Sequence, residues 1–345
     1  TLNLARVGRK DNFFDLGGHS ILAVKLFSSV ESRFGKRLPL ATLYEYPTVE
    51  KLSLLLEDAY EVSWDPMVTI QSNGTKQPLF FMHSEGGNVL EYYHLSRELG
   101  LDQPFYALQA YGLDSGIAKY KTIEEMANRY INDIRKVQRN GPYLLGGYCL
   151  GGLIAYEVAQ QIMKDGEEVA FLGLVSVVEP NHWKEKVEDL NPFERSLFSV
   201  QERVGLELDN LRVLPLREKM VYSWDRIHTG TTIIQTKLEG FAGNLLTKFN
   251  KEINNHSNAY KLRMIKESNI EAFYSYNPLE LKNGATLFRA NKYSRLVALG
   301  DENGWGKLVN NKLKVINIDA YHKNILKYPN VKQLAENIKL CLADT

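Results

Sequence analysis

At 345 residues, with a hydrophobic share of 44% and a charged share of 24%, the chain has the make-up of a soluble globular protein of two domains. A net charge of +1 gives no electrostatic case for nucleic acid or an anionic membrane, and no apolar run nears the roughly 20 residues that span a bilayer. Two cysteines, Cys149 and Cys341, argue against a disulfide framework and for a reducing, cytoplasmic setting. No Cys/His cluster has zinc spacing, so no metal is expected, and "TLNLARVGRKDNFF" lacks the apolar core of a secretory signal.

The first predicted element is a helix over 20–34, "SILAVKLFSSVESRF", with Ser20 as N-cap and Gly35 as stop. "PLATLYEYPT" reads as a loop, and a second helix follows Pro47 in "TVEKLSLLLEDAY". Residues 1–58 therefore read as a small all-α bundle. Residues 59–77, with Pro66 and a Ser-Asn-Gly turn at 72–74, read as a linker followed by the first strand of a hairpin.

From residue 78 strands alternate with helices. "PLFFMH", "PFYALQA", "YLLGGY", "VAFLGLVSVV", "ATLFRA" and "KLKVINI" are strands. "LEYYHLSREL", "TIEEMANRYINDIRKVQ", "LGGLIAYEVAQQIMKDG", "AYKLRMIKESNIEAFYSY" and "NVKQLAENIKLCLA" are helices. That alternation implies a mostly parallel, doubly wound sheet over 78–345. Residues 181–252 break the rhythm with charged amphipathic pieces, where a helical lid over an active site would sit.

Two stretches carry chemistry. In "DNFFDLGGHSILAVKL" the glycines 17 and 18 leave the Ser20 hydroxyl unobstructed at a helix N-terminus, whose free N–H groups favour an attached anion. In "YLLGGYCLGGLIAYEV" a strand enters a glycine-rich corner and leaves as a helix, with Cys149 at the apex. This is the placement of a nucleophile on a strained turn. The helix N-terminus is expected to lower the thiol pKa, and the thiolate is the reactive form. His322, on the loop after the last strand, is the expected base. The backbone N–H groups of Glu85, in "HSEGGNV", and of Leu150 are the expected oxyanion donors.

"DNFF-x-LGGHS" followed by "LAV" resembles the phosphopantetheine attachment motif of peptidyl carrier proteins from nonribosomal peptide synthetases, from Asp11 to Ala23 and again at "YPTVEKLS". The resemblance covers the first domain except its opening helix. It implies a four-helix-type bundle in which Ser20 carries a covalent 4′-phosphopantetheine whose thiol holds a growing peptidyl or acyl chain. It also implies a phosphopantetheinyl transferase and upstream adenylation and condensation domains as partners. From about Pro78 onward, "HSEGG", "GGYCLGG", "TLFRA", "GWG" and the His-x-Asn-x-Leu around His322 resemble type I thioesterase domains, which implies an α/β-hydrolase fold. Together they imply a terminal module that passes the chain to Cys149 and releases it by hydrolysis or cyclisation. An editing thioesterase, or a silent or trapped docking module, are the alternatives.

The sequence departs from that family at two places. The nucleophile is Cys rather than Ser. Where relatives place an aspartate after the following strand, "GLVSVVEP" has Ser176. Asp301, in "ALGDENGWG", is the preferred substitute and Glu179 the next; a Cys–His dyad without an acid is the third arrangement. A thiol needs less help from its base than a hydroxyl does, so a displaced acid is tolerable there.

Overall fold

The computed structural model describes residues 2, 4, 6–57, 64–188, 190–191, 258–292, 299–309 and 312–345. In the first domain Ala23, Phe27 and Val30 make the buried face of helix α1 (Ser20–Phe34), which Gly35 ends in the left-handed region at φ 67°. α3 (Val49–Glu57) lies where the sequence places it. The stretch read as a loop contains one turn of helix, α2 (Thr42–Glu45), because Thr42 and Leu43 turn inward to close the small core. That core, with Phe13, Phe14, Phe27, Leu43 and Leu55, runs on into Leu90 and Tyr93 of the second domain.

The second domain is a seven-stranded sheet in the order β1-β3-β2-β4-β5-β6-β7. The strands are β1 (Met67–Gln71), β2 (Leu79–Met82), β3 (Phe105–Leu108), β4 (Tyr143–Tyr148), β5 (Val169–Val175), β6 (Ala285–Lys292) and β7 (Leu313–Tyr321). All neighbours are parallel except β1 with β3. The expected hairpin is therefore absent: β1 pairs across to β3, since both edges of β2 are occupied by β3 and β4.

Helices α5 (Ile123–Val137) and α6 (Leu150–Lys164) cover one face of the sheet, and α4 (Tyr93–Leu99) and α9 (Asn330–Ala343) the other. Strands β2 and β4 read as continuous apolar runs because both faces are covered. From β2 the chain steps to β3 on one side and then returns to β4 on the other. The crevice beyond the carboxyl ends of β2 and β4 is thus a topological switch point, where open α/β sheets bind ligands. Of the expected lid at 181–252, the described part comprises the single turn α7 (Pro180–Trp183), the following turn to Glu188, and residues 190–191; the rest lies outside the described residues. Residues 258–275 form the long helix α8 (Asn258–Ser275). Among the described residues no helix is long and apolar enough to cross a membrane.

Candidate active site

Cys149 stands between the last residue of β4 and the first of α6, with φ 57° and ψ −124°. A non-glycine residue there is strained, and the corner is built to hold it. Its N–H donates to the Val175 carbonyl at 3.1 Å. A Cβ on Gly147 would lie 2.2 Å from the Gly151 backbone, and one on Gly151 would lie 2.2 Å from the Met82 carbonyl oxygen. Glycine at both positions is what lets β2, β4 and the start of α6 close together.

The expectation of a lowered thiol pKa is not met. Burial raises Cys149 to about 12 and the nearby Glu85 charge adds to it; the Leu150 N–H, which faces the sulfur, pulls the other way without winning. Burial also lowers His322 to about 4, against the opposing pull of Glu85. At neutral pH the two are a thiol and a neutral imidazole rather than a preformed ion pair.

His322 directly follows β7, so its carboxyl-end position puts it on the same edge of the parallel sheet as Cys149 and Ser176. Its Nδ1 lies 2.8 Å from Ser176 Oγ. Ser176 has φ 50°, and its N–H is tied to the Phe288 carbonyl at 2.8 Å, a turn that brings the hydroxyl to the ring. The Ser176 backbone also favours the protonated ring. Tyr148 stacks on the imidazole, ring centroids 4.8 Å apart at 27°, and its hydroxyl donates to the His322 carbonyl at 2.9 Å.

The preferred acid, Asp301, is not brought to His322. Its side chain is 97% exposed and its carboxylate lies 3.5 Å from Arg289. The buried side of its loop is used otherwise, with Asn303 Nδ2 and Trp305 Nε1 both donating to the Val177 carbonyl, at 3.1 and 3.2 Å. Glu179 is occupied as the N-cap of α7, accepting from the N–H groups of Asn181 and His182. The group at the imidazole is Ser176, at the position where the sequence comparison finds an aspartate missing.

The loop after β2 is pinned from three sides. His83 Nδ1 donates to the Ser84 carbonyl at 2.7 Å, and Nε2 takes the Tyr130 hydroxyl at 2.9 Å; burial lowers His83 to about 4, so it stays neutral. In a trans peptide the C=O and the next N–H point opposite ways, so anchoring the Ser84 carbonyl inward turns the Glu85 N–H away from His83. From α8, Asn269 donates to the Glu85 carbonyl at 3.0 Å and Lys266 pairs with its carboxylate at 2.7 Å. Neither residue was legible as functional, because α8 is distant in sequence and only the fold brings it over the loop. Tyr148 was missed too, since an aromatic before Cys149 carries no signal of its own.

Ser20 is not the cap of α1. His19, extended at φ −144°, takes that place, and Ser20 Oγ donates instead to Asn88 Oδ1, at 3.1 Å, in the loop after β2. A half-buried hydroxyl opening a 15-residue helix with no acidic residue in its first turn fits a phosphodiester there. Around it Phe14 stacks on Tyr93, centroids 4.0 Å apart at 15°, Asn12 Nδ2 donates to the Tyr93 hydroxyl at 3.0 Å, and Tyr44 donates to the Val89 carbonyl.

Residues 77–341 match the family model described as a thioesterase domain, and residues 2–56 match the phosphopantetheine attachment site. Over 99% of its length the chain is 31% identical to a dimodular nonribosomal peptide synthase of Bacillus subtilis (strain 168), covering 14% of that protein. Over 54% of its length it is 36% identical to an atromentin synthetase of Tapinella panuoides, covering 20% of it. The crystal structure of a holo four-domain nonribosomal peptide synthetase bound to AMP and glycine superposes over 98% of this chain and 25% of that one, with a TM-score of 0.62 and 28% identity. The chain thus spans a small part of the length of the synthetases it matches, and it belongs to the thioesterase-domain family, with a phosphopantetheine-attachment domain directly ahead of the thioesterase domain.

Proposed function

We propose that this chain is the terminal carrier and thioesterase of a nonribosomal peptide synthetase, in which Cys149 accepts the peptidyl or acyl chain and His322, oriented by Ser176, moves the protons. One observation carries the reading: the Ser20 hydroxyl lies 3.1 Å from Asn88, in the loop that also holds Glu85 of the candidate oxyanion site. When bound to Ser20, the phosphopantetheine arm presents the chain as a thioester. The partners implied are the upstream adenylation and condensation domains and a transferase that modifies Ser20.

His322 Nε2 takes the Cys149 proton as the sulfur attacks the thioester carbonyl. The N–H groups of Leu150 and Glu85 hold the carbonyl oxygen as it becomes an oxyanion. When the carbon–sulfur bond to the donor breaks, the imidazolium protonates the departing thiol, leaving the chain on Cys149 as a new thioester. In the second half His322 takes a proton from water, or from an amine or hydroxyl of the chain itself, and returns it to Cys149 Sγ as the product leaves. Because both groups start neutral, the proton moves during attack, so Cys149 works by general-base assistance as a serine would.

The test is intact-mass spectrometry of the chain loaded on Ser20 with an acyl-pantetheine. Transfer to Cys149 followed by release of acid or cyclic product is expected. A permanent adduct on Cys149 would identify a trap, and no transfer would sink the reading in favour of a docking module.

A further inference from the structure

One acidic side chain beside the nucleophile has no part in that mechanism. Glu91 lies in the short 3-10 turn Leu90–Tyr92, at the seam between the two domains. Its Oε1 is buried with no hydrogen-bond partner among the described residues. The titratable and polar groups within electrostatic reach of it come from both sides of the seam. They are Tyr44 of the carrier's α2, Ser84 and Glu85 of the loop after β2, Tyr92 of its own turn, and Tyr148 with Cys149 at the nucleophile corner. None of these is a cation, and Glu85 is a second carboxylate. An ionised Glu91 in that place would be desolvated, half-satisfied and beside a like charge; the acid form is far cheaper.

The wall on the carrier side is Tyr44, whose hydroxyl donates to the Val89 carbonyl two residues before Glu91. A carrier that lifted away would take Tyr44 with it and let water reach that side of the turn.

We propose that Glu91 is a positioning residue that seats the carrier on the thioesterase, lying under Tyr44 as the neutral acid when the carrier is docked and ionising when the carrier leaves. The catalytic consequence rests on the proposed function; the docking itself does not. Burial raises Glu91 from 4.5 to about 7 in the docked state, against the pull of the Ser84 hydroxyl and N–H. Docking therefore takes up a proton. It is tightest at low pH, weakens as pH rises toward about 7, and is level above that.

Small-angle scattering of the unmodified full chain between pH 5 and 8 tests this directly. The wild type is expected to pass from a compact form to a mixture with an extended one as pH rises toward 7. Glu91→Gln, a neutral mimic, is expected to hold the same compact fraction throughout. A Glu91→Gln profile that follows the wild type with pH, or a wild-type profile that does not change, overturns the proposal. A second readout is the ratio of single-turnover release from acyl-loaded Ser20 to turnover of a free acyl thioester, which cancels the titrations of Cys149 and His322. It should fall with pH in the wild type and lie flat in Glu91→Gln; the same slope in both would overturn the proposal. Loss of all transfer from Ser20 would sink the functional reading while the scattering result still decides for or against Glu91.

Discussion

At the scale of single residues the question is how a histidine works without an aspartate. Ser176 supplies geometry, a hydroxyl 2.8 Å from Nδ1, but no charge. The charge that supports the imidazolium comes from Glu85, and it is outweighed by burial, which leaves His322 at about 4. Ser176→Asp is expected to raise the His322 pKa, because a carboxylate at Nδ1 stabilises the protonated ring, and aspartate tolerates the positive φ of that position. The acid limb of the pH–rate profile, expected near pH 4 in the wild type, should then move toward neutrality, with acylation faster by about tenfold. Ser176→Ala, which removes the hydroxyl 2.8 Å from Nδ1, should cost about tenfold in rate with little change in that limb. Burst kinetics with a chromogenic thioester across pH 4–9 would measure both.

At the scale of elements the corner at Cys149 depends on two strands and a helix meeting without side chains between them. Gly151→Ala would place a Cβ 2.2 Å from the Met82 carbonyl, a backbone atom that cannot step aside. The variant should lose more than about 2 kcal/mol of stability in a urea melt, and any folded fraction should acylate poorly because Leu150 and the loop after β2 are displaced together. The same loop holds a buried neutral His83, lowered by burial to about 4. Its contribution to stability is full above about pH 6.5 and is lost as pH falls through about 4, since the unfolded chain binds a proton that the folded chain refuses. His83→Asn keeps a donor for the Ser84 carbonyl and should reduce the dependence of the urea midpoint on pH across that window. The glycine run, the apex cysteine and the final histidine were legible as positions because each belongs to a local strand–turn–helix pattern. Asn269 and Lys266 were not, since their role exists only once α8 crosses the loop.

At the scale of the whole molecule the two domains share a hydrophobic core: Leu90 and Tyr93 of the second domain pack with Phe13 and Phe14 of the first. A stacked aromatic pair is worth about 0.5–1.5 kcal/mol beyond its burial, which corresponds to as much as about tenfold in docking. Tyr93→Ala is expected to slow release from acyl-loaded Ser20 by about that factor or more while turnover of a free thioester falls less. Comparing the two rates in one preparation checks it, and equal losses would mean that the seam serves only stability.

The sequence by itself determined the domain order, the mostly parallel sheet, and the turns on which Ser20, Cys149 and His322 stand. Each of these is written in local spacing: glycines around an apex, apolar periodicity, a residue just past a strand. Tertiary structure alone decided what stands at His322 Nδ1. Asp301 and Glu179 were reasonable from their loops, but one loop spends its buried side on Val177 and the other caps a helix, so the place falls to Ser176. It also decided the ionisation of the pair, because desolvation depends on what packs overhead and outweighs the helix-end field that the local sequence announces.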